Sequence, residues 1–398
     1  MDIKITPAKL QGVVKAVSSK SFAHRIITAA AMADKKTEIY INGFSDDILR
    51  TISCVESLGA ICDKHRDRVI ITPVSHSKKD VVLSCGESGT TARIMLPVSA
   101  VLADSACLTG CGRLPERPFQ DMTNLLREKG MEVSSDTLPI SVSGKLESGD
   151  FQIPGDISSQ YVTGLMMALP KLEGESTITL TTPLKSAAYV DITIDVLRDF
   201  GVNIIKTDSG YKVPSADFIS PSKIYVEGDW SNAAFWIVAK EMGSGLEITN
   251  LNPSSVQGDR KIINVLSEDA VDVDEIPDLF PILAILACSR KGKTRLFNAS
   301  RLRLKESDRI LATCELINSL GGRAVSGEDY LDIYGIGALK GGCVNSFNDH
   351  RIVMAAAIAA TICSDDVTIL GAEAVNKSYP SFFEEYNKLG GQSVVIYC

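Results

Sequence analysis

The chain has 398 residues, enough for two domains or one large one, and 45% of them are hydrophobic, which supports well-filled globular cores. Its formal net charge of −8 argues against a nucleic-acid surface built on bulk positive charge, so any cationic site must be local. There is no uninterrupted apolar run of about 18 residues, and Met1-Asp2-Ile3-Lys4-Ile5 lacks the apolar stretch of a secretory signal. A cytoplasmic protein without a membrane partner is therefore expected. Ten cysteines show no CxxC pair and no metal-ligand spacing with the four histidines, so packed, reduced thiols and no metal are expected.

Two kinds of helix alternate along the chain. A strongly apolar helix is predicted to begin near Ser19, followed by a β-rich run at 38–41 and an amphipathic helix at 48–59. The pattern returns with an apolar helix from Ser88 and an amphipathic one at 122–130, then with a helix from Ser158, a strand at 176–180 and a helix at 192–201. A fourth round starts near Ser231, with a strand at 245–249 and a helix at 262–270. A fifth starts near Asp278, with 294–297 and 310–321, and a sixth near Asp349, with 366–370 and 382–390. Five of the amphipathic helices end in glycine (Gly59, Gly130, Gly201, Gly321, Gly390), which suits a left-handed C-cap.

Both helix series recur about every 70 residues and shorten once, at the same place. Each unit reads helix, strand, loop, helix, strand, strand. Six such units are too long for tetratricopeptide or ankyrin repeats, and two domains of three units each is the economical arrangement. No Pro/Gly/Ser-rich linker marks a boundary.

The chemistry collects at the unit ends. The cluster Lys305-Glu306-Ser307-Asp308-Arg309 packs two cations and two carboxylates before an apolar run, and on a helix Lys305 and Arg309 would share a face. Ser307 and Asp308 are expected to cap that helix. Lys20, Ser21 and Arg25 open the first apolar helix, where they can hold an anion against free backbone N–H groups. Gly89 opens the second, letting backbone approach a phosphate, with Arg93 one turn on. Ser158, Ser159 and Gln160 open the third, and Asp278, His350 and Arg351 open two more. Arg117, Ser186, Tyr189 and Lys377 lie on the loops. Each alone has a bland explanation as cap, surface residue or satisfied core group. Together, so many cations at equivalent ends of an acidic chain point to one or two small, anionic substrates. No GxxxxGK[ST] and no GxGxxG after a strand occurs, which disfavours ATP or NAD.

These residues resemble the 5-enolpyruvylshikimate-3-phosphate synthases. The likeness rests on Ser19-Lys20-Ser21 with Arg25, Gly89-Thr90 with Arg93, Glu116-Arg117-Pro118, Ser158-Ser159-Gln160, Ile276-Pro277-Asp278, Lys305-Glu306-Ser307-Asp308-Arg309 and Asn348-Asp349-His350-Arg351, and runs from Ser19 to Lys377. The resemblance implies an α/β fold, a two-domain inside-out barrel with three repeated units in each domain. It places residues 1–19 and 227–398 in a discontinuous first domain and 20–226 in the second, with the active site in the cleft between them. It implies transfer of the enolpyruvyl group of phosphoenolpyruvate to the 5-hydroxyl of shikimate 3-phosphate, in the shikimate pathway, with no cofactor, by a monomer.

Carried over by position, Lys20, Ser21, Arg25, Ser158, Ser159, Gln160, Ser186, Tyr189, Asp278, Arg301 and Lys305 would meet shikimate 3-phosphate. Lys20, Gly89, Arg117, Gln160, Arg309, Arg351 and Lys377 would meet phosphoenolpyruvate. Glu306 is the expected proton donor and Asp278 the base, with His350 orienting Glu306 and Lys377 assisting proton transfer. Two positions depart from the family's usual asparagine: Glu87 beside the expected phosphate site, and Arg301. Gly89 matches the small residue linked in the family to sensitivity to glyphosate, a competitor of phosphoenolpyruvate. The alternatives are the sister enzyme acting on UDP-N-acetylglucosamine, for which Cys111 in a Gly-rich loop speaks, and an RNA 3′-phosphate cyclase-like protein, which the acidic balance disfavours.

Overall fold

The computed structural model describes residues 1–396. The fold is mixed α/β, and the chain divides into two compact units, one of residues 18–226 and one that joins residues 1–17 to the chain from Glu227 onward.

The unit of residues 18–226 carries helices α1 (Lys20–Ala31), α2 (Asp46–Leu58), α3 (Gly89–Leu102), α4 (Gln120–Glu128), α5 (Ser159–Ala168) and α6 (Ala188–Asp199). α1, α3 and α5 are apolar on most faces and bury them, while α2, α4 and α6 keep polar outer faces. α3 packs on α5, and α6 on α1 and α5. Gly164 permits that close approach, since a Cβ there would stand 2.6 Å from the Arg93 carbonyl oxygen and 2.8 Å from the Pro97 ring. Helix starts are set by short polar side chains: Ser88 accepts from the Thr91 N–H, Ser158 from the Gln160 N–H.

One strand pairing recurs through this unit's sheets. Val81–Ser84 runs parallel to Ser105–Thr109, which is antiparallel to Ile140–Ser143, itself antiparallel to Glu132–Val133. The strands Asp150–Ile153, Ser176–Leu180, Gly210–Val213 and Ile205–Thr207 repeat that order, as do Lys223–Tyr225, Thr37–Tyr40, Arg68–Thr72 and Ile61–Lys64. Alternation places Val69 and Ile71, or Leu83 and Leu108, wholly in the core.

The other unit carries α7 (Trp230–Glu241), α8 (Ile262–Val265), α9 (Phe280–Cys288), α10 (Arg309–Ser319), α11 (His350–Ala359) and α12 (Phe382–Lys388). Ala270–Asp272, Lys291–Phe297, Leu331–Ile336 and Ala324–Ser326 form a sheet of the same order. Another joins Gly342–Asn345 and Val367–Leu370 to the first strand, Asp2–Thr6, which in turn pairs with Gln392–Ile396. Gln11–Lys15 and Gly245–Thr249 make a two-stranded parallel pair.

That small pair explains the shortened period. The helix expected at 262–270 lasts only one turn, because Ile262 is its fully buried anchor while Ile263 is exposed, and Ala270 already pairs with Arg295 in a sheet. Among the described residues, the antiparallel strand pair that follows α2, α4, α6 and α10 is missing after α8. The terminal glycines behave as expected: Gly59, Gly130, Gly201, Gly321 and Gly390 all have φ between +79° and +115°. α7 is capped by Asp229, whose side chain accepts from the Asn232 N–H, rather than by Ser231.

Candidate active site

In the unit of residues 18–226, Lys20 is ion-paired to Asp47 at 2.8 Å, with both side chains mostly buried. Nearby hydroxyls tie the helix starts together: Thr51 bonds Thr91 at 2.8 Å and His24 at 2.6 Å. At the start of α3, Gly89 faces two guanidinium groups, a Cβ at that position falling 2.5 Å from Arg117 Nη1 and 2.9 Å from Arg93 Nη1. Gln160 accepts from Arg93 at 3.1 Å and donates to Thr90 Oγ1 at 2.6 Å. Arg93 is held over the Phe119 and Tyr161 rings, 5.3 and 5.6 Å from their centroids. The starts of α3 and α5 thus gather Gly89, Arg93, Arg117, Ser158, Ser159 and Gln160 into one cation-rich group.

Arg25 lies deeper. Its guanidinium bonds Thr193 Oγ1 at 2.7 Å, Thr163 Oγ1 at 3.1 Å, and the carbonyls of Ser21 and Tyr189 at 2.7 and 2.9 Å. All four acceptors are neutral, and burial lowers its pKa to about 10, so it stays cationic near neutral pH. These bonds bring Ser21 and Tyr189 together across α1 and α6. Ser186, at φ +54°, makes the turn into α6 and accepts from the Tyr189 N–H at 3.2 Å. Glu87 lies by the loop Gly110-Cys111-Gly112, where a Cβ on Gly112 would come within 2.5 Å of Glu87 Oε2; Cys111 itself is exposed.

In the other unit the hub is Arg309, 1% exposed. It donates from Nε to Asp349 at 2.9 Å, from Nη1 to Asp278 Oδ1 at 2.6 Å and from Nη2 to Glu306 at 2.7 Å. Arg351 Nη2 takes the second Asp278 oxygen at 2.8 Å. Burial pushes the Asp278 pKa up, but the charges of Arg351, Arg309 and Lys305 outweigh it and hold this carboxyl well below the usual carboxylate range. Burial likewise opposes the Arg309 charge, and Asp349, Glu306 and Asp278 overcome it, raising its pKa well above normal. Lys377 Nζ donates to the Asn348 carbonyl at 2.6 Å, and the buried His350 ring has Nδ1 3.9 Å from Asp349. Arg301 holds the carbonyl and carboxylate of Asp274 at 2.8 and 2.9 Å.

Two local expectations need correction. α10 begins only at Arg309, capped by Asp308, which accepts from the Leu311 N–H. Lys305 follows a 3-10 turn (Ser300–Leu304) with extended backbone, so Lys305 and Arg309 share no helix face. Ser307 is not a cap; its hydroxyl donates to Asp349 at 3.0 Å, bracing the carboxylate that Arg309 also holds.

Several participants lacked a sequence signal of their own. Asp349, near which the sixth round was expected to start, caps α11 by accepting from the Arg351 N–H at 2.9 Å; its second role as partner of Arg309 depends on a contact 40 positions away. Thr163 and Thr193 looked like ordinary helix residues. Asp259 sits in a polar stretch with no distinguishing pattern, yet it is buried, accepts a hydrogen bond from Ser231, and has its pKa pushed up to about 7 by burial and by Asp278, against the pull of Arg351.

The fold and these side chains define a class: a mixed α/β enzyme that gathers cations at buried-helix starts in one unit and cations with carboxylates around Arg309 in the other. The EPSP synthase (3-phosphoshikimate 1-carboxyvinyltransferase) family pattern matches residues 5–270 and 266–386. A 3-phosphoshikimate 1-carboxyvinyltransferase of Clostridium kluyveri is 39% identical, over 98% of this chain and 97% of that protein; one from Clostridium acetobutylicum is 39% identical over the same shares. An EPSP synthase structure from Acinetobacter baumannii superposes with a TM-score of 0.81 at 24% identity, covering 99% of this chain and 100% of its own. The chain belongs to the EPSP synthase family.

Proposed function

We propose that this enzyme transfers the enolpyruvyl group of phosphoenolpyruvate to the 5-hydroxyl of shikimate 3-phosphate and releases phosphate. The observation that carries the reading is the Arg309 hub, which holds three carboxylates in one buried cluster beside Arg351 and Lys305. Addition joins the 5-hydroxyl oxygen to C2 of phosphoenolpyruvate, the hydroxyl proton going to a base while an acid protonates C3. Elimination then breaks the C2–O bond to phosphate and removes a proton from C3, restoring both groups.

Glu306 is assigned as the acid and Asp278 as the base. Asp278 is tied by Arg309 on one oxygen and Arg351 on the other, so it becomes a competent base only as an arriving phosphate draws those guanidiniums away. His350 and Lys377 are assigned to proton positioning. Shikimate 3-phosphate is assigned to Lys20, Ser21, Arg25, Ser158, Ser159, Gln160, Ser186, Tyr189, Asp278, Arg301 and Lys305. Phosphoenolpyruvate is assigned to Lys20, Gly89, Arg117, Gln160, Arg309, Arg351 and Lys377.

The recurring strand order supports reading each unit as three repeats, six in all, in the inside-out barrel arrangement. The reading places the enzyme in the cytoplasm as a monomer that needs no cofactor. Among the described residues no helix is long and apolar enough to cross a membrane. The deciding assay measures phosphate release from phosphoenolpyruvate with shikimate 3-phosphate and, separately, with UDP-N-acetylglucosamine. Release with the first only is expected; release with the nucleotide sugar only, or with neither, overturns the assignment.

A further inference from the structure

Asp259 has no part in the chemistry assigned above. It lies in a 3-10 turn (Gly258–Lys261) that packs on α7, its side chain is 4% exposed, and the Ser231 hydroxyl of α7 donates to it. Charges act on it from elements packed around α7: Asp229 from the cap of α7, Asp278 from the 3-10 turn Pro277–Leu279, and Arg351 from α11. Two of the three are acids, and a carboxyl buried this deeply is poorly screened from them by solvent. Ionising Asp259 therefore puts a further negative charge into a pocket that already holds Asp278.

That charge matters because of Arg351. The Arg351 guanidinium donates to Asp278 Oδ2 at 2.8 Å, and an ionised Asp259 within its field lowers the positive potential that an incoming anion meets. A neutral Asp259 adds no such charge and still accepts from Ser231, keeping the α7 start in register with the turn. We infer that Asp259 is a positioning residue for the transfer site, holding a proton so that Arg351 and its neighbours present their full positive potential to the anionic substrate. The inference rests on the assignment of phosphoenolpyruvate to Arg351. Linkage makes the effect reciprocal: a bound anion tightens the proton on Asp259, and loss of that proton loosens the anion. The observed burial of Asp259 and the Asp278 charge, which push its pKa to about 7, place the transition in the neutral range.

The test uses sulfate as the probe, because its charge is constant through the neutral range and its binding does not depend on turnover. Calorimetry on the intact enzyme should show the sulfate Kd rising about fivefold between about pH 6 and pH 8 for the wild type. Asp259→Asn, which keeps an acceptor for Ser231 but cannot ionise, should hold the wild-type low-pH Kd within about twofold across the range. The KM for phosphoenolpyruvate should follow the same split, with kcat at saturation unchanged. An equal pH dependence in both proteins, or a loss of sulfate binding by a folded Asp259→Asn protein at low pH, overturns the inference. Should Asp259→Asn fail to fold, carboxyl-labelled aspartate in the wild type decides: a resonance titrating near neutrality that moves when sulfate is added supports the inference, and none doing so refutes it. A wild type that releases no phosphate from phosphoenolpyruvate with shikimate 3-phosphate defeats the functional assignment alone, since the sulfate and carboxyl titrations still report on Asp259.

Discussion

Arg25 and Arg309 are both about 1% exposed, and each sits at the heart of its own unit, yet they solve the burial of a cation in opposite ways. Arg25 is surrounded by hydroxyl and carbonyl oxygens, so its charge is solvated but not neutralised, and its pKa falls to about 10. Arg309 is surrounded by three carboxylates, and its pKa rises. The first arrangement keeps net positive charge in reserve for a polyanion. The second spends its charge on gathering acids, and it helps to hold the Asp278 carboxyl ionised. One residue type, equally buried, thus serves binding in one place and acid–base organisation in the other.

Removing the hub is the most direct way to break this comparison. Arg309→Met should cost about 3–5 kcal/mol by leaving buried carboxylates without their cation. Because Asp278 loses one of the cations that hold its pKa down, it takes up a proton more readily in the folded variant, and the deficit should shrink as pH falls from about 7 to about 5. Urea unfolding across that range checks it; a deficit independent of pH would show that packing, not charge, is at stake. Next come the acids themselves. Glu306→Gln and Asp278→Asn should each lower kcat by roughly 10²–10⁴-fold while shikimate 3-phosphate still binds. If binding is lost and turnover at saturation is normal, these groups are ligands rather than acid and base.

Arg25→Met sharpens the other side. It should cost about 1–3 kcal/mol, since it strands neutral groups, of which Thr163 and Thr193 still bond each other at 2.8 Å. Its stability loss should be flat between about pH 5 and pH 8, unlike that of Arg309→Met, and binding of shikimate 3-phosphate should weaken. A pH-dependent loss would reveal an acidic partner and collapse the contrast. The smallest effect is expected of Gly89→Ala: its Cβ must displace the Arg117 guanidinium, raising the KM for phosphoenolpyruvate about tenfold, or about 1.4 kcal/mol, with stability little changed because alanine suits a helix. An unchanged KM would remove Arg117 from the substrate's ligands.

Much of the architecture was legible because its signals are local. Ser88, Ser158 and Asp349 each precede an apolar run and each caps the helix it announces. The terminal glycines mark turns that only a left-handed residue closes without strain. Where the signal depended on tertiary contact, spacing misled. The i,i+4 relation of Lys305 and Arg309 carried no helix between them because Asp308 starts α10 after Lys305. The apolar pattern after Ile262 suggested a full helix, but sheet pairing claimed Ala270. Asp259 was illegible for the same reason: its neighbours along the chain are polar, and only its neighbours in space make it unusual.

The strand Asp2–Thr6 lies between Val367–Leu370 and Gln392–Ile396, and this imposes an order on the birth of the protein. During synthesis Asp2–Thr6 emerges long before either partner exists, so that sheet must wait until Gln392–Ile396 has left the ribosome. Residues 18–226 face no such delay, because every strand of their sheets lies within that segment. The inserted unit can therefore fold first, while Asp2–Thr6 waits for strands made more than 360 residues later.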